Sequence, residues 1–586
     1  MTVSPQDAQV YETLKKVRTS TTVALKPTPM LRSEIRGIDG RAQEFKLRYY
    51  QVQGVFHLLS MKRMLLGDGT GLGKTVQVIA ALCYLRPREP ENRVIIVTPK
   101  SVLRQWGEEI ERFSTGIRCY VVSGTPEERI AIYEEWAAAK VGENHPLPVL
   151  IVNYALLVRD WEQGKKITTP AKGKGKPIVT PGLVDRLTKD MAGLVVVFDE
   201  ATAFKNSETK TWQTCRLLSD RAHRVVGLTA TLLKNNLKEG FSIYKVLVPR
   251  LFGTKTSFLE TFCVVEMKKI GFNRKIPIIV GYRNLDQFRA LIDPYFLGRP
   301  KHLVSAELPK LTTKQIIVRL TAAEDSKYQE ALTGVLELGD GSIKDYEEHK
   351  AFVALGYCQQ VVNSLTMLKY RPGDDIATGA PWEKFDEGAE TKLKDLGSKE
   401  QALCDLITDE LDGEKVIVYT RFESLVGRLI DILKAEGIKS VRITGKENEK
   451  ARLDNQRVFQ DLNSDTQVIF ITDAGSEAIN LQAASAIVFY DAPWSWGNYV
   501  QTLGRPIRIG SPHPSVVAYH IVAERPRTKP KEQKTIDHHI LGLLQSKKNL
   551  IDRVLGEAAV GALTFEADSS TKDLLRRMRS DDDDAV

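Results

Sequence analysis

No stretch of this 586-residue chain approaches the roughly 18 to 20 consecutive apolar residues that a membrane span requires. Its most apolar runs are short, among them Val94–Val97 and Leu194–Phe198. Cysteine is scarce: Cys83, Cys119, Cys215, Cys263, Cys358 and Cys404 lie dozens of positions apart, and no C-x-x-C occurs. That pattern argues against a disulfide framework and against structural zinc, and suits a reducing compartment. Met1 to Lys15 lacks an apolar core and carries Asp7 and Glu12, so no secretory signal is expected there. Apolar residues at 42% and charged residues at 27% sit near the globular average, which excludes wholesale disorder and fibrous classes. A large, soluble, intracellular protein is expected.

What is present in excess is positive charge. Lysine and arginine number 83 against 74 acids, a net charge of +9, although Asp581 to Asp584 concentrate negative charge at the C-terminus. Such a surplus suits a polyanionic partner, and it equally suits a lysine-rich solvated surface.

Short β-branched runs alternate with helical spacing in two blocks. Met64–Leu66, Val94–Val97, Val149–Val152, Leu194–Phe198 and Val225–Leu228 read as strands of the first. Val416–Thr420, Val441–Thr444, Val468–Thr472, Ala486–Tyr490 and Val516–Val522 read as strands of the second, with helices over Glu423–Ala435 and Asn448–Leu462. Buried strands alternating with helices imply parallel sheets covered on both faces, hence an α/β class with two parallel-sheet lobes. The expected layout is an N-terminal extension (1–45), a first lobe (46–250), helical insertions and a linker (251–400), a second lobe (401–560) and a tail (561–586). Between the lobes strand signals fade, and Thr321–Leu338 and Tyr346–Tyr370 read as helices; Arg371 to Lys399 reads as a linker. Gly164 to Gly182, with Lys165, Lys166, Lys172, Lys174 and Lys176 and no acid, reads as an irregular basic insertion.

The most informative segment is Gly67-Asp-Gly-Thr-Gly-Leu-Gly-Lys-Thr75, between the strand Met64–Leu66 and a helical run Val76–Leu85. Glycines let successive backbone N–H groups converge on phosphates, and the following helix points its positive end at them. The cradle comprises Gly69, Thr70, Gly71, Leu72, Gly73, Lys74 and Thr75, with Lys74 reaching β- and γ-phosphates and the Thr75 hydroxyl ligating Mg²⁺. Asp68 stands where the strict pattern has its first glycine. Val195-Val-Val-Phe-Asp-Glu-Ala-Thr202 supplies the acidic partner: Asp199 to hold Mg²⁺ and Glu200 to polarise a water. Gln501-Thr-Leu-Gly-Arg-Pro-Ile-Arg-Ile-Gly510 offers Arg505 and Arg508, three apart on one side of a helical turn. Arginine delivered to a transferring phosphoryl group is worth roughly 10³- to 10⁵-fold in rate. Coming from the other lobe, it would make hydrolysis depend on closure.

These residues resemble the Swi/Snf-type branch of the superfamily-two helicase-like ATPases, from about Lys46 to Glu557. Leu47-Arg-Tyr-Tyr-Gln51 resembles L-R-P-Y-Q, which implies Gln51 at the adenine. Asp68 falls where that branch has the Asp of D-E-M-G-L-G-K-T. Ile96 to Trp106 is similar to the P-x-S-L-L-x-x-W segment with its DNA-facing loop, Asp199 to Asn206 to D-E-A-H-x-x-K-N, and Leu228 to Asn236 to L-T-G-T-P-x-x-N-N. Tyr295-Phe-Leu-Gly-Arg-Pro-Lys301 with Leu308-Pro309 looks like F-x-x-R-x-x-x-V…L-P. Val416–Phe422 and Thr472 to Leu481 resemble motifs four and five, and Gln501, Gly504, Arg505, Arg508, Ile509 and Gly510 match Q-x-x-G-R-x-x-R-I-G. Thr202, Ala230, Leu232, Ala478 and Ile507 depart from the family's residues.

The resemblance implies two RecA-like lobes using ATP and Mg²⁺, with Lys74, Asp199, Glu200, Gln501, Arg505 and Arg508 carrying hydrolysis. It implies double-stranded DNA as partner, touched by Lys100, Arg104, Asn153, Arg421 and Thr472, and a DNA-bound protein as the remodelled target. The chain is similar to compact bacterial or phage members, which places it in the cytoplasm. Trp494 and Trp496 read as packing residues ahead of base-stacking ones, and His538-His539 as a solvated helix face without metal partners. Three functions stay open: translocation on duplex DNA, strand separation, and a non-hydrolysing DNA-binding scaffold.

Overall fold

The computed structural model describes residues 1–36, 42–168, 178–230, 232–233, 236–270, 274–299, 308–333, 335–337, 343–345, 351–368, 396–473, 479–508, 511–527 and 533–555. The chain divides into two compact units, Met1–Ala306 with Ile551–Ala558, and Glu307–Leu550 with Ala559–Val586. No helix among the described residues is long and apolar enough to cross a membrane.

The first unit is built on a seven-stranded, all-parallel sheet. Its strands are β1 (Arg63–Leu66), β2 (Arg93–Thr98), β3 (Ile117–Val121), β4 (Leu147–Asn153), β5 (Leu194–Asp199), β6 (Arg224–Leu228) and β7 (Phe296–Leu297), in the order β7-β1-β6-β5-β2-β4-β3. Every residue of β4 and β6 is buried, which is why apolar residues dominate them apart from the terminal Asn153 and Arg224. The helices that matter to the site are α1 (Pro5–Thr19), α2 (Tyr49–Ser60), α3 (Lys74–Leu85) and α4 (Leu103–Phe113). In α4 the buried positions Leu103, Trp106, Ile110 and Phe113 recur at helical spacing, so one stripe faces the sheet.

The second unit carries a six-stranded parallel sheet: β8 (Lys310–Arg319), β9 (Val416–Tyr419), β10 (Lys439–Ile443), β11 (Thr466–Ile471), β12 (Ala486–Phe489) and β13 (Ser515–Glu524), ordered β8-β13-β12-β9-β11-β10. Both sheets match the expected α/β class with two parallel-sheet lobes.

The stretch 251–400 departs from its helical reading and is shared between the units. It holds an antiparallel hairpin, Cys263–Ile270 with Arg274–Tyr282, and the ten-residue strand β8. Eight of the ten β8 residues are exposed, since it is an edge strand, so it lacks the apolar signature of a central one. The reading of Thr321–Leu338 as one helix is corrected too: the helix covers Ala322–Thr333, and Val335–Glu337 pairs with Ile343–Asp345. Ala351–Asn363 is helical within the second expected segment, whose residues 346–350 and 369–370 lie outside the described residues. So do linker residues 371–395; Ser398 and Lys399 already belong to a helix, Ser398–Asp405. The basic insertion is not irregular at its ends, because Lys166–Thr168 and Ile178–Thr180 pair antiparallel. Lys172, Lys174 and Lys176 lie outside the described residues.

Helix α1 is pinned to the first unit by one guanidinium. Arg18 donates to the Asp293 carboxylate at 3.0 Å, to the Phe296 carbonyl at 2.6 Å and, through Nε, to His57 Nε2 at 3.1 Å. His57 is 1% exposed, and its Nδ1 lies 2.8 Å from the Gln53 carbonyl, an arrangement that assigns a neutral ring with the proton on Nδ1. Burial pushes this imidazole down to about 4, and the Arg18 and Arg299 charges act the same way. The folded value lies below the ordinary 6.5, so the unfolded chain takes up the proton first as pH falls. The neutral ring's contribution is therefore complete above pH 6.5 and lost between 6.5 and about 4, by about 3 kcal/mol in all. Urea unfolding of the first unit at pH 7.5, 6 and 5 should follow that loss, and His57→Gln should flatten it.

Candidate functional site

The C-terminal ends of β1, β6 and β5 stand level, because Leu66 pairs with Leu228 and Leu228 with Asp199. Val97 pairs with Phe198, which brings Thr98 beside Asp199. Loops leaving this edge start at one height, the place where open parallel sheets bind ligands.

Residues 67–73 join β1 to α3. Gly73 caps α3 in a left-handed conformation, φ 74°, and a Cβ there would lie 2.6 Å from Gln51 Nε2. Only glycine meets both conditions. The Lys74 ammonium donates to the carbonyls of Asp68 at 2.7 Å and Gly69 at 3.4 Å. The Thr70 hydroxyl is buried without a hydrogen-bond partner among the described residues. Gln51, 5% exposed, accepts from its own helix's Arg48 N–H at 3.0 Å and donates to the Leu72 carbonyl at 3.3 Å, which ties α2 to the loop.

Asp68 is fully buried and bidentately paired: Arg299 Nε to Oδ1 at 2.9 Å and Nη2 to Oδ2 at 2.5 Å, with Gln77 adding a bond to Oδ2 at 3.0 Å. Arg299 also donates to the Tyr50 carbonyl at 2.5 Å and Gln53 Oε1 at 3.1 Å, and lies over the Tyr50 ring. One guanidinium thus joins the base of the loop to α2. This role was not visible in the sequence: Arg299 lies in a matched motif, but nothing in a separation of 231 residues pairs it with Asp68.

Asp199 ends β5. Its Oδ2 accepts from the Trp106 indole N–H at 2.7 Å and the Thr98 hydroxyl at 3.1 Å, and its carbonyl from the Tyr154 hydroxyl at 2.8 Å. Burial pushes the carboxyl up, opposed by the Trp106 and Thr98 donors and the Lys74 charge. Glu200 takes a left-handed φ of 52°, a strained setting for a residue with a Cβ, of order 1–3 kcal/mol. Its Oε1 accepts from the Thr202 hydroxyl at 2.5 Å and the Thr229 hydroxyl at 3.1 Å. Thr202, one of the departures from the family, therefore holds the neighbouring carboxylate. Leu232 is buried, and Ala478 lies outside the described residues.

In the second unit, Gln501 lies on the helix α5 (Trp496–Leu503). Arg505 and Arg508 lie beyond the end of α5, not on a helical turn, because Pro506 cannot continue it. They still converge: Arg505 Nη1 and Arg508 Nη2 donate to the Ile479 carbonyl at 3.2 and 3.4 Å, and Arg508 Nη1 bonds Asn480 Oδ1. Ile507 is buried in the unit's core. Ile509 and Gly510 lie outside the described residues.

Of the five nucleic-acid candidates, Lys100 and Arg104 are exposed, in the turn before α4 and in its first turn. Asn153 is buried, and its Oδ1 caps the helix Tyr154–Trp161. Thr472 is buried, and Arg421 donates to Gln359 Oε1 at 2.6 Å beside the Trp494 ring. Trp494 also donates to Gln359, and Trp496 packs on Tyr499. His538 is half-buried, 3.5 Å from Glu524, and not on a solvated face; among the described residues no group of His, Cys, Asp and Glu is arranged to hold a metal.

The Asp68–Arg299 pair generates a test. Asp68→Gly or Arg299→Ala should each cost about 3–5 kcal/mol of first-unit stability, because each strands a buried charge. The double variant should cost much less than their sum in a urea-unfolding cycle.

Comparison with known proteins identifies the family. The SNF2-related domain model matches residues 50–368, more than half of the chain, and the Helicase conserved C-terminal domain matches 398–510. The chain is 24% identical over 518 residues to an uncharacterized ATP-dependent helicase of Mycoplasma pneumoniae, covering 87% of this chain and 42% of that one. It is 25% identical over 541 residues to the ISWI chromatin-remodeling complex ATPase ISW2 of Saccharomyces cerevisiae, covering 90% and 42%. It thus spans less than half the length of these two relatives. A solved SWI2/SNF2 ATPase core of Sulfolobus solfataricus in complex with dsDNA is 22% identical, covers 91% of this chain and 95% of that one, and has a TM-score of 0.37. The chain belongs to the SNF2-related family, with a helicase conserved C-terminal domain over residues 398–510.

Proposed function

We propose that this protein hydrolyses ATP and uses the cycle to translocate on double-stranded DNA, displacing or remodelling proteins bound there. The observation that carries the reading is the grouping of the glycine loop, Lys74, Asp199 and Glu200 at one sheet edge, in a chain of this family.

The donor set fits a magnesium–nucleotide. The backbone N–H groups of Thr70, Gly71 and Gly73, the Lys74 ammonium and the orphaned Thr70 hydroxyl suit phosphate oxygens, whereas the Gly69 and Leu72 N–H groups bond the Arg299 and Gly69 carbonyls. The Thr75 hydroxyl and Asp199 are oxygen donors of the kind Mg²⁺ takes, and among the described residues no donor occupies Asp199 Oδ1. Bound there, the ion would neutralise charge on the β- and γ-phosphates.

Glu200 orients the attacking water and takes up its proton. The Thr202 and Thr229 hydroxyls hold its Oε1 and restrict the carboxylate to one rotamer. Gln501, Arg505 and Arg508 are proposed to complete the γ-phosphate's surroundings. Arginine suits this task because its charge is permanent and its fork matches phosphate oxygens. Lys100 and Arg104, the two exposed candidates, are the proposed phosphate contacts to DNA, supported by a net charge of +9. Such contacts tolerate any base sequence and weaken with salt.

Phosphate release, measured with duplex DNA, single-stranded DNA and RNA at two salt concentrations, tests the reading. Duplex DNA should stimulate most, and Lys74→Ala or Glu200→Gln should abolish release without changing the circular dichroism. Full turnover in either variant would reject it. Lys100→Ala and Arg104→Ala should each lower the slope of log affinity against log salt by about 0.9. A strand-displacement assay run beside triplex displacement separates the motor modes, and translocation predicts loss of the triplex strand alone.

A further inference from the structure

The residues that offer charge to solvent near the first sheet's edge and the residues that hold Asp199 belong to the same nine-residue segment, Thr98 to Trp106. Thr98 ends β2, Lys100 lies in the following turn, Arg104 lies in the first turn of α4, and Trp106 is two residues further on. Lys100 and Arg104 are exposed, whereas Trp106 is 2% exposed and packed in the α4 stripe with Leu103, Ile110 and Phe113. Both donors to Asp199 Oδ2 come from this segment: the Trp106 indole N–H at 2.7 Å and the Thr98 hydroxyl at 3.1 Å.

An indole nitrogen is a donor only, so this bond has one polarity and one geometry. The ring is close-packed, and it cannot move to follow the carboxylate unless the α4 backbone moves with it. A phenylalanine would fill the apolar space nearly as well; what tryptophan adds is the N–H, aimed at one oxygen of the carboxylate assigned to the metal. Outer donors of this kind orient a ligating carboxylate and tune what it binds.

We propose that Trp106 is a positioning residue that couples polyanion engagement at Lys100 and Arg104 to the magnesium–nucleotide at Asp199. This rests on the ATPase reading above. A phosphate backbone gripping the turn and first helical turn biases the placement of α4, and the indole N–H carries that bias to Asp199 Oδ2. The coupling is reciprocal: DNA changes affinity for the magnesium–nucleotide by the same factor that the magnesium–nucleotide changes affinity for DNA.

The test is a binding experiment on the full chain, with a non-hydrolysable ATP analogue plus Mg²⁺ titrated in the absence and presence of saturating duplex DNA. In the wild type, DNA should change the analogue's Kd by a factor in the usual range for linked sites, about 5- to 150-fold. In Trp106→Phe that factor should fall to within about twofold of unity, with DNA affinity measured without nucleotide and the thermal midpoint both retained. The kcat at saturating DNA should drop about tenfold at unchanged KM for DNA, the split expected when transition-state interaction is lost and ground-state binding is not. Lys100→Ala and Arg104→Ala should each weaken DNA binding and also lower the factor at saturation, because each removes a grip through which DNA biases α4. If Trp106→Phe does not fold, site-specific replacement of Trp106 by benzothienylalanine, which keeps the ring shape and lacks the N–H, gives the same readout. A wild-type factor in the folded variant overturns the proposal, and so does a variant whose binding falls only in step with its melting temperature. Absence of any DNA effect on the analogue's Kd in the wild type also overturns the proposal, whereas failure of the analogue with Mg²⁺ to bind at all would sink the ATPase reading itself.

Discussion

The strand register at one edge of the first sheet is the constraint on which the candidate site depends. Leu66, Leu228 and Asp199 stand side by side because three parallel strands are hydrogen-bonded in that phase. A register slip of one residue would turn every side chain to the opposite face. Such a slip would separate Lys74 from Asp199 and Thr229 from Glu200. The phase is enforced by burial: all five residues of β6 and five of the six in β5 are removed from water, so no other alignment keeps the apolar set inside. Short buried strands thereby place residues that lie more than a hundred positions apart.

Around that edge the chain finds donors for its carboxylates one by one. Asp68 is held by Arg299, Asp199 by Trp106 and Thr98, and Glu200 by Thr202 and Thr229. The loop's unusual aspartate is costly to bury alone, and a bidentate guanidinium that also bonds α2 offsets that cost while fixing the loop's base. Thr202 illustrates how a departure from the family's residue keeps a local function. A hydroxyl two residues after a left-handed glutamate reaches back to its carboxylate, which a longer imidazole at that position would have to do by a different path.

Central strands and amphipathic helices were legible because their burial is written into periodicity. Glu423–Ala435 is helical over the expected residues, and each of the ten expected strands overlaps an observed one, four of them running one residue past its end. The elements that escaped are those for which burial is partial. β8 sits at an edge with its polar residues in solvent, β3 mixes Arg118 with apolar neighbours, and β7 is two residues long. Among the site residues, Lys74, Asp199 and Glu200 follow from local pattern. That Asn153 caps a helix and that Thr472 is buried by its neighbours could not be read from their motifs.

By itself, the sequence determined the strands and helices of the two α/β blocks, the phosphate loop and its carboxylates, since each such element is encoded within about a dozen contiguous residues whose spacing has a direct physical meaning. Only the tertiary structure decided who holds those groups. Arg299 on Asp68, Trp106 on Asp199 and Arg18 on His57 join residues whose separation carries no local signal. Such pairings are selected when the packed chain must find a partner for every charge and donor that its core removes from water.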